Sequence, residues 1–79
     1  MSTYNLRVFV LKEDFNKFPK DKTLADILGN EINKYYDGCG GNKETHDWFF
    51  NNVSEQLIET IKNRANACEI IKLSITKTN

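Results

Sequence analysis

Residues 4–11 restrict the possible folds of this chain more than any other segment. Their alternation predicts a β-strand, because successive side chains of a strand point to opposite faces. One face carries Tyr4, Leu6, Val8 and Val10, and the other carries Arg7, Phe9 and Leu11. Since both faces are largely apolar, we expect this strand to be covered on one side and paired or capped on the other. Such a strand is poorly suited to the unpaired edge of a sheet.

Two stretches with helical spacing follow the first strand. Thr23 with Asp26 forms a near-match to a capping box, and the spacing of apolar residues predicts a first helix over residues 23–37 that ends at Gly38. A second helix is expected from about Thr45 to Ala67, with Phe50, Val53 and Leu57 on its buried stripe. Residues 69–77 alternate again and predict a second strand.

The predicted order β-α-α-β assigns the chain to the α+β class, with two helices packed on one face of a small sheet. Two strands alone rarely form a stable sheet, so the sheet must be completed in some way. Residues 14–18 could add a short third strand, the two terminal strands could pair under the helices, or the sheet could be completed across a homodimer. These alternatives remain open from the sequence.

Length and charge restrict the class of protein further. The 79 residues suit one compact domain over residues 1–79, and no run is long enough to span a membrane. Eleven basic and eleven acidic residues cancel locally as well as in total, which argues against nucleic-acid binding. Two cysteines without an export signal predict free thiols in a cytoplasmic protein. The abundance of Lys, Asn and Ile over Arg is typical of firmicutes and their phages.

The sequence offers little that resembles catalysis or cofactor binding. Residues 37–42 contain the glycines of a phosphate-binding loop, but Asn42 precedes Lys43 and Glu44 follows it, so the required pattern is missing. Cys39, His46 and Cys68 lack the paired spacing of a structural zinc site. A single His also excludes most schemes of imidazole-based acid–base catalysis. We therefore expect no enzymatic activity, no cofactor and no metal.

The aromatic cluster around Trp48 is the most informative candidate site. On the predicted second helix Trp48 would fall on the polar face, where it either folds back over the glycine loop or serves as an exposed anchor for a partner. The leading hypothesis is a non-enzymatic protein-binding module, of the kind that phages and mobile elements use as inhibitors or adaptors of host proteins. Its apolar anchors would be Trp48, Phe49 and Tyr36, and its acidic rim, suited to a basic partner, would be Asp37, Glu44 and Asp47.

A second hypothesis places function in residues 12–22. Here the lysines alternate with Phe15 and Phe18, as in platforms that stack single-stranded nucleic acid. The basic residues would be Lys17, Lys20 and Lys22.

Overall fold

The computed structural model describes residues 2–78 and contains one antiparallel sheet of four strands with short helical segments. The strands are β1 (Thr3–Leu11), β2 (Tyr36–Gly41), β3 (Thr45–Ser54) and β4 (Lys72–Lys77). The helices are α1 (Leu24–Leu28) and α2 (Glu55–Asn66), and 3-10 helices span Lys12–Lys17 and Asn30–Tyr35. The α+β class predicted from the sequence is confirmed.

Strand β1 lies inside the sheet, whose order is β2-β3-β1-β4. Its two neighbours both run antiparallel to it, with Val8 opposite Trp48 on β3 and Leu73 on β4. The expectation that residues 4–11 would not form a free edge is therefore confirmed. Of the three alternatives for completing the sheet, the structure contains the pairing of the two terminal strands, β1 with β4.

One face of the sheet carries the core. Residues opposite each other in an antiparallel pair share a face, so the buried Leu6 and Val8 of β1 lie on the same side as Phe50 and Trp48 of β3. The helical segments add their own apolar residues to this cluster, and this side is called the helical face below. The fully buried side chains are Leu6, Val8, Val10, Leu28, Ile32, Val53 and Ile61.

The predicted order β-α-α-β is wrong, because the middle of the chain holds a β-hairpin. Strands β2 and β3 pair across a turn that Asn42 closes, with its backbone N–H donating to the Thr45 carbonyl at 3.1 Å. Residues 37–42 are therefore a strand and its turn rather than a loop between helices. Pairing with β3 outweighs the low strand propensity of the three glycines in β2.

The second helix begins ten residues later than the sequence predicted. Ser54 is its true N-cap and accepts a hydrogen bond from the Leu57 N–H at 3.4 Å. The spacing of Phe50, Val53 and Leu57 suggested one continuous helix, but the first two belong to a strand with an irregular register. Asn52 lies at that irregularity with a φ of 57°, a conformation that Asn tolerates better than most residues.

The first helix also ends earlier than predicted, at Leu28 instead of near residue 37. Thr23 caps it as expected, and the complete capping box with Asp26 is present. Gly29, not Gly38, is the residue that stops it, because a φ of +103° takes the chain out of the helix. A 3-10 helix then continues to Tyr35, and residues 14–18, offered above as a third strand, also lie in or beside a 3-10 helix.

Candidate functional site

A row of aromatic rings lies along one side of the helical face. The Phe15 ring packs on His46 at a centroid distance of 4.2 Å and on Phe18 at 6.0 Å. Phe18 in turn stacks on Trp48 at 6.2 Å, and Tyr36 packs against Phe50 at 5.6 Å. We call Phe15, Phe18, Trp48 and Tyr36 the aromatic surface.

Two elements bring these rings together. Alternation along β3 directs His46, Trp48 and Phe50 to the helical face. The 3-10 helix at Lys12–Lys17 folds back over this strand, and its start is held by a bond of 2.8 Å from the Lys12 N–H to the Glu44 carbonyl. Phe18 ends the turn with its N–H donating to the Phe15 carbonyl at 3.1 Å, which fixes the two phenyl rings side by side.

Two open grooves meet at Trp48. The first has a volume of about 440 Å³ and is lined mainly by apolar groups, among them Phe15, Phe18, Pro19 and Leu24. The second, of about 340 Å³, lies between Leu24, Tyr36 and Phe50. Both grooves share Thr23, Leu24 and Trp48, so they adjoin each other at these residues.

The aromatic surface includes the large apolar side chains that are most exposed in residues 2–78. Tyr36 is 50% exposed and Phe15 is 40% exposed, while Trp48 and Phe18 are partly buried against the core. Interaction with the Cys39 side chain, with a contribution from burial, raises the pKa of the Tyr36 hydroxyl above its ordinary value. The surface thus offers apolar area together with a hydroxyl donor.

Charges at the rim of the first groove are basic. Lys20 and Lys22 line it directly and both are exposed. Lys17 lies nearby in sequence, but its ammonium group contacts the Asp14 carboxylate at 3.4 Å. The two lysines can therefore attract an anionic group beside the apolar floor of the groove.

The structure separates the six site residues proposed from the sequence. Trp48 and Tyr36 line one groove, so these two are brought together. Phe49 and Asp47 differ: they pair with Arg7 and Phe9 of β1 and so lie on the opposite face of the sheet. Asp37 is exposed on the edge strand β2, and Glu44 is exposed in the turn between β2 and β3. The acidic residues do not form a rim around Trp48.

Phe15, Phe18 and Pro19 are the site residues that the protein-binding hypothesis missed. The sequence did single out both phenylalanines, but assigned them to a separate nucleic-acid site. The structure joins them to Trp48 in one surface. Their i, i+3 spacing next to a proline was the available signal, and it gave no indication of the strand onto which the segment folds.

Asp47 is buried and has a structural role, whereas the binding hypothesis required it to be exposed. Its carboxylate is buried on the face opposite the helices and receives a bidentate contact from Arg7, with Nε to Oδ2 at 3.1 Å and Nη2 to Oδ1 at 3.3 Å. Burial raises the pKa of the Asp47 carboxyl, but hydrogen bonds with Arg7 and Thr45 and the charge of Arg7 outweigh it, and the pKa lies below its ordinary value. The Arg7 guanidinium also lies over the Phe9 ring at 4.3 Å.

Replacing Arg7 by Ala is expected to lower the free energy of unfolding by about 2 kcal/mol at neutral pH, because a buried carboxylate loses its partner. A depressed pKa stabilises the fold above the ordinary value of the carboxyl and loses that effect as pH falls through the folded value. The difference between wild type and Arg7→Ala should therefore shrink at about pH 3. Urea unfolding of wild type and Arg7→Ala at neutral pH and at about pH 3 measures this difference.

Lys17→Ala is the matched control for this prediction. The Lys17 side chain of the ion pair with Asp14 is exposed to solvent, so we expect a change near zero at either pH. An Arg7→Ala loss that equals the Lys17→Ala loss would contradict the structural role of the Arg7–Asp47 pair.

Residues 2–78 contain neither a cluster of metal ligands, nor a disulfide bond, nor a helix that could cross a membrane. Within it, no three His, Cys, Asp or Glu side chains are grouped so that they could hold a metal ion. Cys39 is exposed and Cys68 partly buried, and both are free thiols. The helices within residues 2–78 are too short or too polar to cross a membrane.

Comparison with protein-family models, with curated proteins and with solved structures gave no significant match.

Proposed function

We propose that this protein is a non-enzymatic binding module that holds a segment of another protein on its aromatic surface. The observation that carries the proposal is the pair of grooves that meet at Trp48, beside the two most exposed aromatic side chains. The first groove, with its apolar lining and aromatic walls, suits the anchor side chains that dominate protein interfaces. A chain of this size and neutral charge fits an inhibitor or adaptor that acts by occupying a surface of its partner.

The rim charges specify the partner's chemistry. Lys20 and Lys22 beside the first groove favour a segment that carries Asp or Glu next to its apolar anchors. The basic partner expected from the sequence required an acidic rim, but Asp47 is paired with Arg7, and Asp37 and Glu44 lie away from the grooves. We therefore favour an acidic segment with bulky apolar residues.

Selection from a library of random displayed peptides tests this proposal with a defined probe. We expect wild-type protein to enrich peptides with two bulky apolar residues flanked by Asp or Glu. Their affinity should fall at least about tenfold in the double variant Phe15→Ala/Tyr36→Ala, since both side chains are exposed and their loss should leave the fold intact. Phe49→Ala is the matched control, because it removes an aromatic ring from the opposite face and should bind the peptides like wild type.

Two outcomes would contradict the proposal. One is the absence of any enriched peptide, and the other is equal binding of the peptides to wild type and to the double variant. Circular dichroism of each variant shows that it is folded before its affinity is compared.

Single-stranded nucleic acid is the second candidate ligand, because the Phe15, Phe18 and Trp48 rings with two nearby lysines also resemble a stacking platform. Anisotropy titration with a labelled oligonucleotide at low salt separates the two. Since acidic residues cancel the basic ones, we expect no binding. Oligonucleotide binding that weakens with salt and with Lys20→Ala/Lys22→Ala would favour this second function over protein binding.

A further inference from the structure

Strand β2 forms an edge of the sheet whose regularly paired part carries no charged side chain. Edge strands normally carry charged side chains or Pro that prevent pairing with another strand. The opposite edge, β4, has a lysine at each end, Lys72 and Lys77. In β2, by contrast, the regularly paired part is Gly38-Cys39-Gly40-Gly41, in which three residues have no side chain. No atom lies within 4 Å of the position that a Cβ at Gly38 would take.

The hydrogen-bond pattern shows which backbone groups of this edge are unpaired. In an antiparallel ladder, residues alternate between bonding the neighbouring strand and pointing away from it. Asn42 bonds Thr45 of the hairpin, so Gly40 also bonds β3, opposite Asp47. The N–H and C=O groups of Cys39 and Gly41 therefore point outward from the sheet.

We propose that β2 pairs antiparallel with β2 of a second copy of this chain, with Gly40 opposite Gly40 of the second copy. In this register Cys39 lies opposite Gly41 of the second copy and each such pair exchanges both backbone hydrogen bonds. All outward-pointing groups of the regular part of the edge are then satisfied. This proposal does not depend on what the aromatic surface binds.

Charge complementarity favours a second copy over another strand and selects this register. Placing Gly40 opposite Gly40 brings Asp37 of each copy to the level of Lys43 of the other. Asp37 and Lys43 are both exposed, and neither forms an ion pair within residues 2–78. The neighbouring register, with Cys39 opposite Cys39, places Lys43 at the level of Tyr35 and loses both pairs.

The twofold axis of this pairing passes through the sheet between the two Gly40 residues. It joins two four-stranded sheets into one sheet of eight strands, since β2 is the last strand of each. Residues that lie opposite each other share a face, so the helices of both copies fall on the same side. The exposed edge of each copy is thereby closed.

Sedimentation equilibrium of the reduced full chain tests the dimer first. We expect the mass to rise with concentration from 9.2 kDa towards twice that value. Asp37→Lys should weaken the dimer at least about tenfold by placing two lysines together, and the charge swap Asp37→Lys/Lys43→Asp should restore it. Glu69→Lys, an exposed residue with the same change of charge, is the control and should dimerise like wild type.

Disulfide trapping tests the register. In a Cys39→Ser background, Gly40→Cys should form a covalent dimer on mild oxidation, and Thr76→Cys on the β4 edge should not. Gly40 tolerates a side chain, because a Cβ there would lie 3.8 Å from the Phe49 ring, an ordinary contact. A mass of 9.2 kDa at every concentration, failure of the charge swap to restore the dimer, or equal trapping at both edges would overturn the proposal.

Discussion

Replacing Gly29 by Ala is expected to lower the free energy of unfolding by about 3 kcal/mol. Gly29 has a φ of +103° and ψ of 143°, a region that residues with a Cβ rarely adopt. An added Cβ would also meet the Arg64 guanidinium and the Glu31 carboxylate. Strain and displacement of neighbouring groups therefore act in the same direction.

The displaced group is itself structural. Arg64 of α2 donates a hydrogen bond from Nη1 to the Leu28 carbonyl at 2.7 Å, which satisfies an acceptor at the end of α1. Its Nη1 also lies 3.7 Å from Glu31 Oε2. Because Arg64 and Glu31 meet the added Cβ with the ends of flexible side chains, these groups can shift at low cost, and backbone strain accounts for most of the expected loss. A domain of this size has a total stability of roughly 4–12 kcal/mol, so the expected loss is a large fraction of it.

Urea unfolding followed by far-UV circular dichroism measures this loss. Gly38→Ala is the matched control, since its φ is not positive and a Cβ there meets nothing within 4 Å. We expect Gly38→Ala to change stability by no more than about 0.5 kcal/mol. Equal losses for the two variants would contradict the role assigned to Gly29.

Trp48→Ala is expected to weaken binding of a selected peptide about thirtyfold, which corresponds to about 2 kcal/mol. Trp48 lines both grooves and stacks on the Phe18 ring, so its loss removes a wall from each groove. The same change also removes packing against the core. Stability must therefore be measured together with affinity.

Trp48→Phe separates these two effects. A phenyl ring keeps part of the packing against the core, so we expect this variant to remain folded and to lose less affinity than Trp48→Ala. Isothermal titration calorimetry with the same peptide gives both affinities. A folded Trp48→Ala protein that binds within about twofold of wild type would show that Trp48 is not an anchor.

Local patterns in the sequence predicted the parts of the fold that local forces determine. The alternation of residues 4–11 identified an interior strand, and the Thr23 capping box identified the start of α1. The alternation of residues 69–77 identified the last strand, which begins at Lys72 and whose Leu73 and Ile75 pair with Val8 and Leu6 of the core face. In each case the residues that decide the structure are close together in the chain.

The hairpin β2–β3 could not be predicted from local patterns, because its formation depends on pairing with residues that are distant in the chain. Glycines in β2 and the helix-compatible spacing of Phe50 and Val53 both argued for other structures. Only the partner strand β1, forty residues away for the Arg7–Asp47 pair, selects the strand conformation. The sequence pattern of a segment indicates its local conformation, but it does not indicate which strand will pair with it.

The candidate site was predicted only in part for the same reason. Trp48 and Tyr36 were expected to act together, and they do line one groove, although on strands rather than on helices. Phe49 and Asp47 were grouped with them because all four lie near the predicted loop between the helices, and strand alternation places both on the other face. Phe15 and Phe18 joined Trp48 only because the 3-10 helix folds over β3.

The fluorescence of Trp48, the single tryptophan of the chain, reports directly on whether a partner segment occupies the aromatic surface. If the aromatic surface binds a partner segment, saturation with a selected peptide should shift the emission of Trp48 to shorter wavelength and reduce its quenching by acrylamide. The Phe15→Ala/Tyr36→Ala variant should need at least about tenfold more peptide for the same change. Unchanged emission and quenching at saturating peptide would place the binding site elsewhere and contradict binding at the aromatic surface.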